Sequence, residues 1–163
     1  MSIYSKGIMA LNGIGKINEN EKFYNRVVLF IALPVLFVFS IVFVNERIYG
    51  DSAGYMFQVI NFETFNIVHN RPSSVFVEWL PLLLVKLHAP LQVVLYGFSI
   101  GEFAWFLIWY LLFSRVLKAP MYGVGVVLAY VFGLRWNYFN PVSELITAFP
   151  FVFLLALAMA KRA

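Results

Sequence analysis

The sequence contains no cysteine and few charged residues. The lack of cysteine excludes disulfide bonds, thiolate nucleophiles and zinc sites built on thiolates. Only 12% of the 163 residues are charged and 62% are hydrophobic, whereas soluble domains are roughly half apolar and about a quarter charged. These proportions exclude an ordinary water-soluble fold.

The hydrophobic residues are grouped in long, uninterrupted blocks. A membrane span needs about 20 apolar residues to cross a hydrocarbon core roughly 30 Å thick. Only helices and closed barrels satisfy their backbone hydrogen bonds in lipid, and barrel strands alternate apolar with polar residues. Because the blocks here are continuous, the sequence predicts an all-α, polytopic membrane protein.

The blocks predict about four transmembrane helices. The first contains residues 27–44, a run without charge. A signal peptide is the competing interpretation, but its charged leader would be unusually long, and Asn45, Glu46 and Arg47 follow where a small-residue cleavage site would stand. We therefore expect an uncleaved first span after a cytoplasmic tail at 1–26. The predicted spans lie at about 27–45, 91–114, 121–139 and 145–160.

Residues 46–90 form the predicted first outer loop. The piece 53–68 mixes apolar and polar residues, as a helix lying in the membrane interface does. The piece 74–88 is apolar, but at about 15 residues it is short for a span. It also carries Glu78, Pro81 and Lys86, so we expect a re-entrant or surface helix.

The basic residues predict the orientation of the spans. With four spans and a cytoplasmic N-terminus, eight of the 12 Lys and Arg residues fall inside, as the positive-inside rule requires. Both termini are then cytoplasmic, and the chain is integral to the cytoplasmic (inner) membrane. The net charge of +4 is scattered rather than gathered in a patch, so nucleic acid is not an expected partner. The eight inner residues are Lys6, Lys16, Lys22, Arg26, Arg115, Lys118, Lys161 and Arg162.

Two polar clusters share the predicted outer surface, one at 46–71 and one at 135–144. Acidic, amide and basic side chains meet the membrane there, which suits a reaction on a lipid-borne, anionic substrate. Arg71 could bind a phosphate through two parallel hydrogen bonds. Asp51 could act as a general base or as an oxygen ligand of a divalent cation. The alternative interpretation is that these are ordinary solvated loop charges.

Residues 50–55 (GDSAGY), directly after the first predicted span, resemble the first outer loop of the GT-C membrane glycosyltransferases. In that family an acidic residue just beyond the first span marks the active site. The family loop continues through interfacial helices to a proline-containing turn and an apolar helix, and residues 69–72 (HNRP) followed by 75–87 are similar. Residues 140–144 (NPVSE) stand where the family places a second outer acidic residue.

The resemblance implies transfer of a hexose or pentose from a polyprenyl-phosphate carrier at the outer membrane face. It implies that Asp51 is the catalytic base or a metal-binding carboxylate, with Mg²⁺ or Mn²⁺ as the cation. Glu144 would be the second carboxylate, placing the cation or the acceptor. Arg71 would contact the carrier phosphate, and Tyr55 and His69 would line the same loop.

The chain departs from the family pattern in two ways. Many members carry two adjacent acidic residues in the first loop, whereas Ser52 follows Asp51 here. Family members also generally have many more spans. The resemblance therefore covers their N-terminal part, and we expect either a piece of a longer enzyme or a short protein that keeps this module.

Glu102 is an acidic residue near the middle of the second predicted span. A charge there costs about 3 kcal/mol on insertion scales, so a pairing or functional role is the default. The alternative is a protonated or snorkelling glutamate among the small residues 97, 99 and 101, whose surfaces favour helix packing. The expected contact is Arg135, Lys86 or a helix that this sequence does not contain.

Glu102 supports two alternative functions. The chain could be a non-catalytic small subunit that packs against partner helices of a membrane complex through Glu102. It could also be part of a transporter, with Glu102 on a proton or ion path.

Overall fold

The computed structural model describes residues 19–48, 50–67, 74–132 and 144–162, and the side chains of Asp51 and of residues 144–146 lie outside this description. Within these ranges all regular structure is helical, which confirms the all-α prediction. The helices are α1 (Glu19–Val42), α2 (Val44–Arg47), α3 (Asp51–Phe62), α4 (Val75–Lys86), α5 (Leu91–Val116), α6 (Pro120–Phe132) and α7 (Glu144–Ala160).

Two helices, α1 and α5, are long and apolar enough to cross a membrane by length and composition. They contain 24 and 26 residues, and at 1.5 Å per residue they are about 36 and 39 Å long, more than the roughly 30 Å hydrocarbon core. Each includes one π-helical segment, Val28–Ala32 in α1 and Leu112–Val116 in α5. The helix α1 begins eight residues before the predicted first span.

The helices α6 and α7 are shorter than a full span. They contain 13 and 17 residues, which correspond to about 20 and 26 Å. Residues 133–143, which connect them, lie outside the described part of the chain. Among the described residues two helices are of spanning length, where the sequence predicts about four spans.

Side-chain contacts fix the direction of α1 relative to α5. Near the start of α1, the Asn25 carboxamide oxygen accepts a hydrogen bond from the Tyr110 hydroxyl at 2.8 Å. Near the end of α1, the Ser40 carbonyl accepts one from the Ser99 hydroxyl at 2.5 Å. The two helices are therefore antiparallel. The Asn25 contact also joins the first two turns of α1 to the bundle, so the helix extends into the predicted tail.

Aromatic contacts fix the direction of α6. Tyr122 stacks near Phe113 at 6.1 Å between ring centroids, and Tyr130 stacks on Phe106 at 4.2 Å. Later residues of α6 thus meet earlier residues of α5, and the two helices are antiparallel.

The helix α7 runs parallel to α5. Trp105 donates a hydrogen bond to the Thr147 carbonyl at 3.3 Å, and Phe151 lies edge-on to Trp109 at 5.0 Å. The four helices α1, α5, α6 and α7 therefore alternate in direction along the chain, and α5 contacts the other three.

The helix α4 packs on the first half of α5. A Cβ atom added at Gly101 would lie 2.8 Å from the Val77 carbonyl oxygen, so only glycine permits this approach. Phe76, in the first turn of α4, stacks on Trp105 near the middle of α5 at 4.2 Å. Because α4 has 12 residues, it covers only that half of α5 and does not span.

The helix α3 ends earlier than the predicted 53–68 helix. Glu63, which caps it, has a left-handed φ of 52°, and its N–H bonds to the Val59 carbonyl. Met56 of α3 is buried in a small core with Val77, Val94 and Phe98, so α3 lies on α4 and α5.

Candidate functional site

A buried ion pair joins Arg47 of α2 to Glu102 of α5. Arg47 is 0% exposed and Glu102 is 1% exposed. The second terminal nitrogen of Arg47, Nη1, donates to the Ser99 hydroxyl at 2.7 Å and to the Ser99 carbonyl at 3.0 Å. The Tyr130 hydroxyl of α6 donates to Glu102 Oε2 at 3.2 Å. The pair is thus surrounded by polar groups rather than by apolar side chains alone.

This cluster connects four helices, because the Ser99 hydroxyl in turn donates to the Ser40 carbonyl of α1. A buried charge without its partner is strongly unfavourable, so removing one member of such a pair costs about 3–5 kcal/mol. Arg47 and Glu102 therefore fix α2 against α5 and α6.

The partner of Glu102 differs from the sequence-based expectation of Arg135, Lys86 or another chain. The sequence places Arg47 among the charges of the first predicted outer loop. Its position, immediately after the apolar run of α1, was the available signal, since a long arginine side chain can fold back along a helix bundle. Arg135 lies outside the described residues, and Lys86 ends α4.

Asp51 stands at the first position of α3, four residues after Arg47. Gly50 precedes it with φ 58° and ψ −127°, a conformation that side-chain-bearing residues rarely adopt. The Arg47 contacts and this glycine turn therefore set where α3 begins. The backbone of Asp51 is described, whereas its side chain is not.

The other predicted site residues are only partly described. Tyr55 is half-buried and packs against the small core of Met56, so it lies where α3 meets α4 and α5. Glu144 begins α7 one turn before Thr147, and its side chain is outside the described part. His69 and Arg71 lie in 68–73, outside the described residues.

A second buried carboxyl group, Glu78 of α4, was not selected from the sequence. It is 0% exposed, and its Oε2 accepts a hydrogen bond from the Asn66 backbone N–H at 2.8 Å. Burial raises the pKa of Glu78 from 4.5 to about 7, and the Asn66 hydrogen bond opposes that rise. The signal in the sequence was an acidic residue inside an apolar helix that is too short to span.

The divalent cation implied by the resemblance finds no complete set of ligands in the described structure. Among residues 19–48, 50–67, 74–132 and 144–162, no group of three or more His, Asp or Glu side chains could hold a metal ion. Glu102 is committed to Arg47, and Glu78 has an amide rather than a second carboxylate beside it.

Comparison with known proteins gives no match, whether to protein-family models, to curated proteins or to solved structures. The likeness to GT-C enzymes accordingly rests on the residues quoted above.

Proposed function

We propose that this chain is a GT-C-like membrane glycosyltransferase module, which transfers a sugar from a polyprenyl-phosphate carrier at the outer membrane face. The observation that carries the proposal is the position of Asp51. This acidic residue begins α3, nine residues after the end of the long apolar helix α1 and just beyond α2, in the region where the family carries its active-site acid. The buried Arg47 contacts four residues earlier support it, because they anchor the chain leading to that position.

We further propose a four-span topology with both termini in the cytoplasm. The alternating directions of α1, α5, α6 and α7 support it, as does the placement of eight of the 12 Lys and Arg residues inside. The proposed third span extends beyond the described end of α6, through Gly133 and Leu134 and as far as Phe139. In this topology α4 is a re-entrant helix that begins beside the middle of α5 and runs back toward the outer face.

The proposed reaction is a displacement at the anomeric carbon of the donor sugar. The Asp51 carboxylate accepts the proton of an acceptor hydroxyl, the oxygen of that hydroxyl bonds to the anomeric carbon, and the bond to the carrier phosphate breaks. Arg71 holds the departing phosphate through charge-assisted hydrogen bonds. Glu144 places the acceptor, and Tyr55 and His69 line the same loop.

The Arg47–Glu102 contact weighs against two alternative functions, a small subunit that packs on partner helices through Glu102 and a transporter with Glu102 on its ion path. Glu102 has its counter-charge within this chain, together with the Tyr130 hydroxyl. It therefore needs no helix of a partner subunit to balance its charge. An ion path through Glu102 would also require the carboxylate to leave a sealed ion pair.

The test of the proposal is Asp51→Asn in the full chain, reconstituted in lipid with polyprenyl-phosphate sugars. Loss of the carboxylate base should lower sugar transfer by roughly 100-fold or more. Glu46→Gln is the matched control, because Glu46 is an exposed carboxylate on the preceding helix. Near-normal transfer by Asp51→Asn would remove Asp51 from the mechanism, and the proposal with it.

A further inference from the structure

Glu78 is a buried carboxyl group without a counter-charge in the described part of the chain. The ion pairs there are Arg47 with Glu102 and Lys22 with Glu19. One Glu78 oxygen, Oε2, accepts the Asn66 N–H, but the other, Oε1, is buried and has no partner among the described residues. A buried polar atom of this kind calls for an explanation, because nearly all such atoms in folded proteins are hydrogen-bonded.

The Asn66 side chain presents a second open group at the same place. Its amide nitrogen Nδ2 is also buried and without a partner in the described structure. The backbone of Asn66 is held on both sides, since its N–H bonds to Glu78 and its carbonyl accepts the Ser74 hydroxyl at 2.9 Å. The unpartnered donor and the unpartnered acceptor therefore belong to two residues that are in direct contact at the first turns of α4.

The place of these groups in the fold separates them from bulk water. Val77, next to Glu78, touches α5 at Gly101, ten residues from the start of that helix. At 1.5 Å per residue, this point is about 15 Å along α5. In the proposed topology it lies well below the outer surface, where unsatisfied polar groups are strongly unfavourable.

The chemistry of the two open atoms selects a hydroxyl group as their ligand. A hydroxyl both donates and accepts, so it can pair with the Asn66 amide and with Glu78 whether that carboxyl group is ionised or neutral. A hard divalent cation would meet one carboxylate and an amide N–H donor, a poor set of ligands. An anion would be repelled by an ionised Glu78.

We propose that Glu78 and Asn66 bind a hydroxyl group of a sugar or a small polyol. The choice of a sugar rests on the proposed glycosyltransferase function, whereas the choice of a hydroxyl rests on the contacts of the two residues. The site is distinct from Asp51, which begins the preceding helix.

The test measures sugar binding to the full chain in lipid nanodiscs, free of sugar-based detergents. The probes are mannose, arabinose and glycerol, which separate a hexose, a pentose and a small polyol. Tryptophan fluorescence reports binding, because Trp79 is adjacent to Glu78 and 41% exposed. Infrared difference spectra report the hydrogen bonding of the Glu78 carboxyl group and are assigned by its loss in Glu78→Gln.

We expect saturable binding of at least one probe, weakened roughly tenfold or more in Glu78→Leu, which lacks the hydrogen-bonding oxygens. Asn66→Ala should weaken binding as well and gives the same comparison if Glu78→Leu does not fold. Glu63→Gln, an exposed carboxylate at the end of α3, should leave the affinity unchanged. The proposal would be overturned if no probe binds saturably, or if both site variants bind the probes as tightly as the unmodified protein does. Water would then be the ligand of these atoms.

The two proposals fail in different ways. Sugar binding that depends on Glu78, together with normal transfer by Asp51→Asn, would contradict the catalytic proposal and keep the binding site. If transfer depends on Asp51 but the Glu78 and Asn66 variants bind sugar normally, the binding site is contradicted and the catalytic proposal is kept.

Discussion

Arg47 and Glu102 are 55 positions apart in the sequence, yet they form an ion pair that solvent does not reach. The pair sits where α1 ends and the chain turns toward Asp51. The ion pair holds α2, which leads into α3, against α5 and α6. It thereby helps to set the position of Asp51 at the start of α3.

Removing one member of this pair should destabilise the protein strongly. We expect Glu102→Leu to lower the free energy of unfolding by about 3–5 kcal/mol, because Arg47 would remain buried without a counter-charge. Replacing both residues, in Arg47→Met with Glu102→Leu, should restore part of that loss, since no lone charge remains. Reversible unfolding in mixed micelles measures both.

The control for this prediction is Lys22→Met. Lys22 forms the other described ion pair, with Glu19, and both residues are exposed, so little change is expected. A double variant as unstable as Glu102→Leu alone would show that the polar cluster contributes more than the balance of charge.

Close packing of α4 on α5 should depend on the glycine at 101. A Cβ atom at Gly101 would lie 2.8 Å from the backbone carbonyl oxygen of Val77, and backbone atoms cannot move aside cheaply. We expect Gly101→Ala to lower the free energy of unfolding by about 1–3 kcal/mol, as overpacking does.

Gly54→Ala is the matched control in a helix. No atom lies within 4 Å of a Cβ added at Gly54. Alanine should therefore stabilise α3 by roughly 0.5–1 kcal/mol, the helix-propensity difference. Equal effects of the two substitutions on thermal unfolding would contradict the close contact between α4 and α5.

The raised pKa of Glu78 should make the stability of the folded protein depend on pH. Burial raises its pKa from 4.5 to about 7, so between these values the folded state binds a proton that the unfolded state has released. Stability should therefore be highest below pH 4.5 as far as this group is concerned, and it should fall as the pH rises to about 7, by roughly 2–3 kcal/mol.

Glu78→Gln should remove this part of the pH dependence, because the amide does not titrate. The measurement is the free energy of unfolding of both proteins at intervals between pH 4.5 and 7. Parallel curves for the two proteins would mean that the Glu78 carboxyl group has an ordinary pKa and is reached by water.

The sequence predicted what depends on local composition. Continuous apolar runs predicted helices, and they are helices. The 74–88 segment contains the 12-residue helix α4, which packs on one half of α5, and its predicted re-entrant or surface position stays a prediction. The small residues 97, 99 and 101 predicted a packing surface, and α4 packs on Gly97 and Gly101.

The sequence could not predict contacts between distant residues. The choice of Arg47 as the partner of Glu102 depends on how α2 folds back after α1, and no periodicity reports that. The Asn66 contact with Glu78 likewise depends on the path of the chain after α3, which ends at a left-handed Glu63. The assignments of Asp51, Arg71 and Glu144 stay predictions.

The turn at Gly50 should matter more for sugar transfer than for folding. Gly50 has φ 58° and ψ −127°, and no atom lies within 4 Å of an added Cβ, so alanine there is strained without a clash. A left-handed alanine costs about 1–3 kcal/mol, and because no neighbouring atom blocks the turn, we expect it to relieve this strain by a change that moves Asp51. Gly50→Ala should then lower the rate of sugar transfer while thermal unfolding changes little, because the anchor at Arg47 keeps α2 in place. Gly54→Ala, one turn into α3, should transfer sugar normally. Equal transfer rates in Gly50→Ala and Gly54→Ala would show that the position of Asp51 does not depend on the glycine turn. The catalytic role proposed for the Asp51 carboxylate would then lose its structural support.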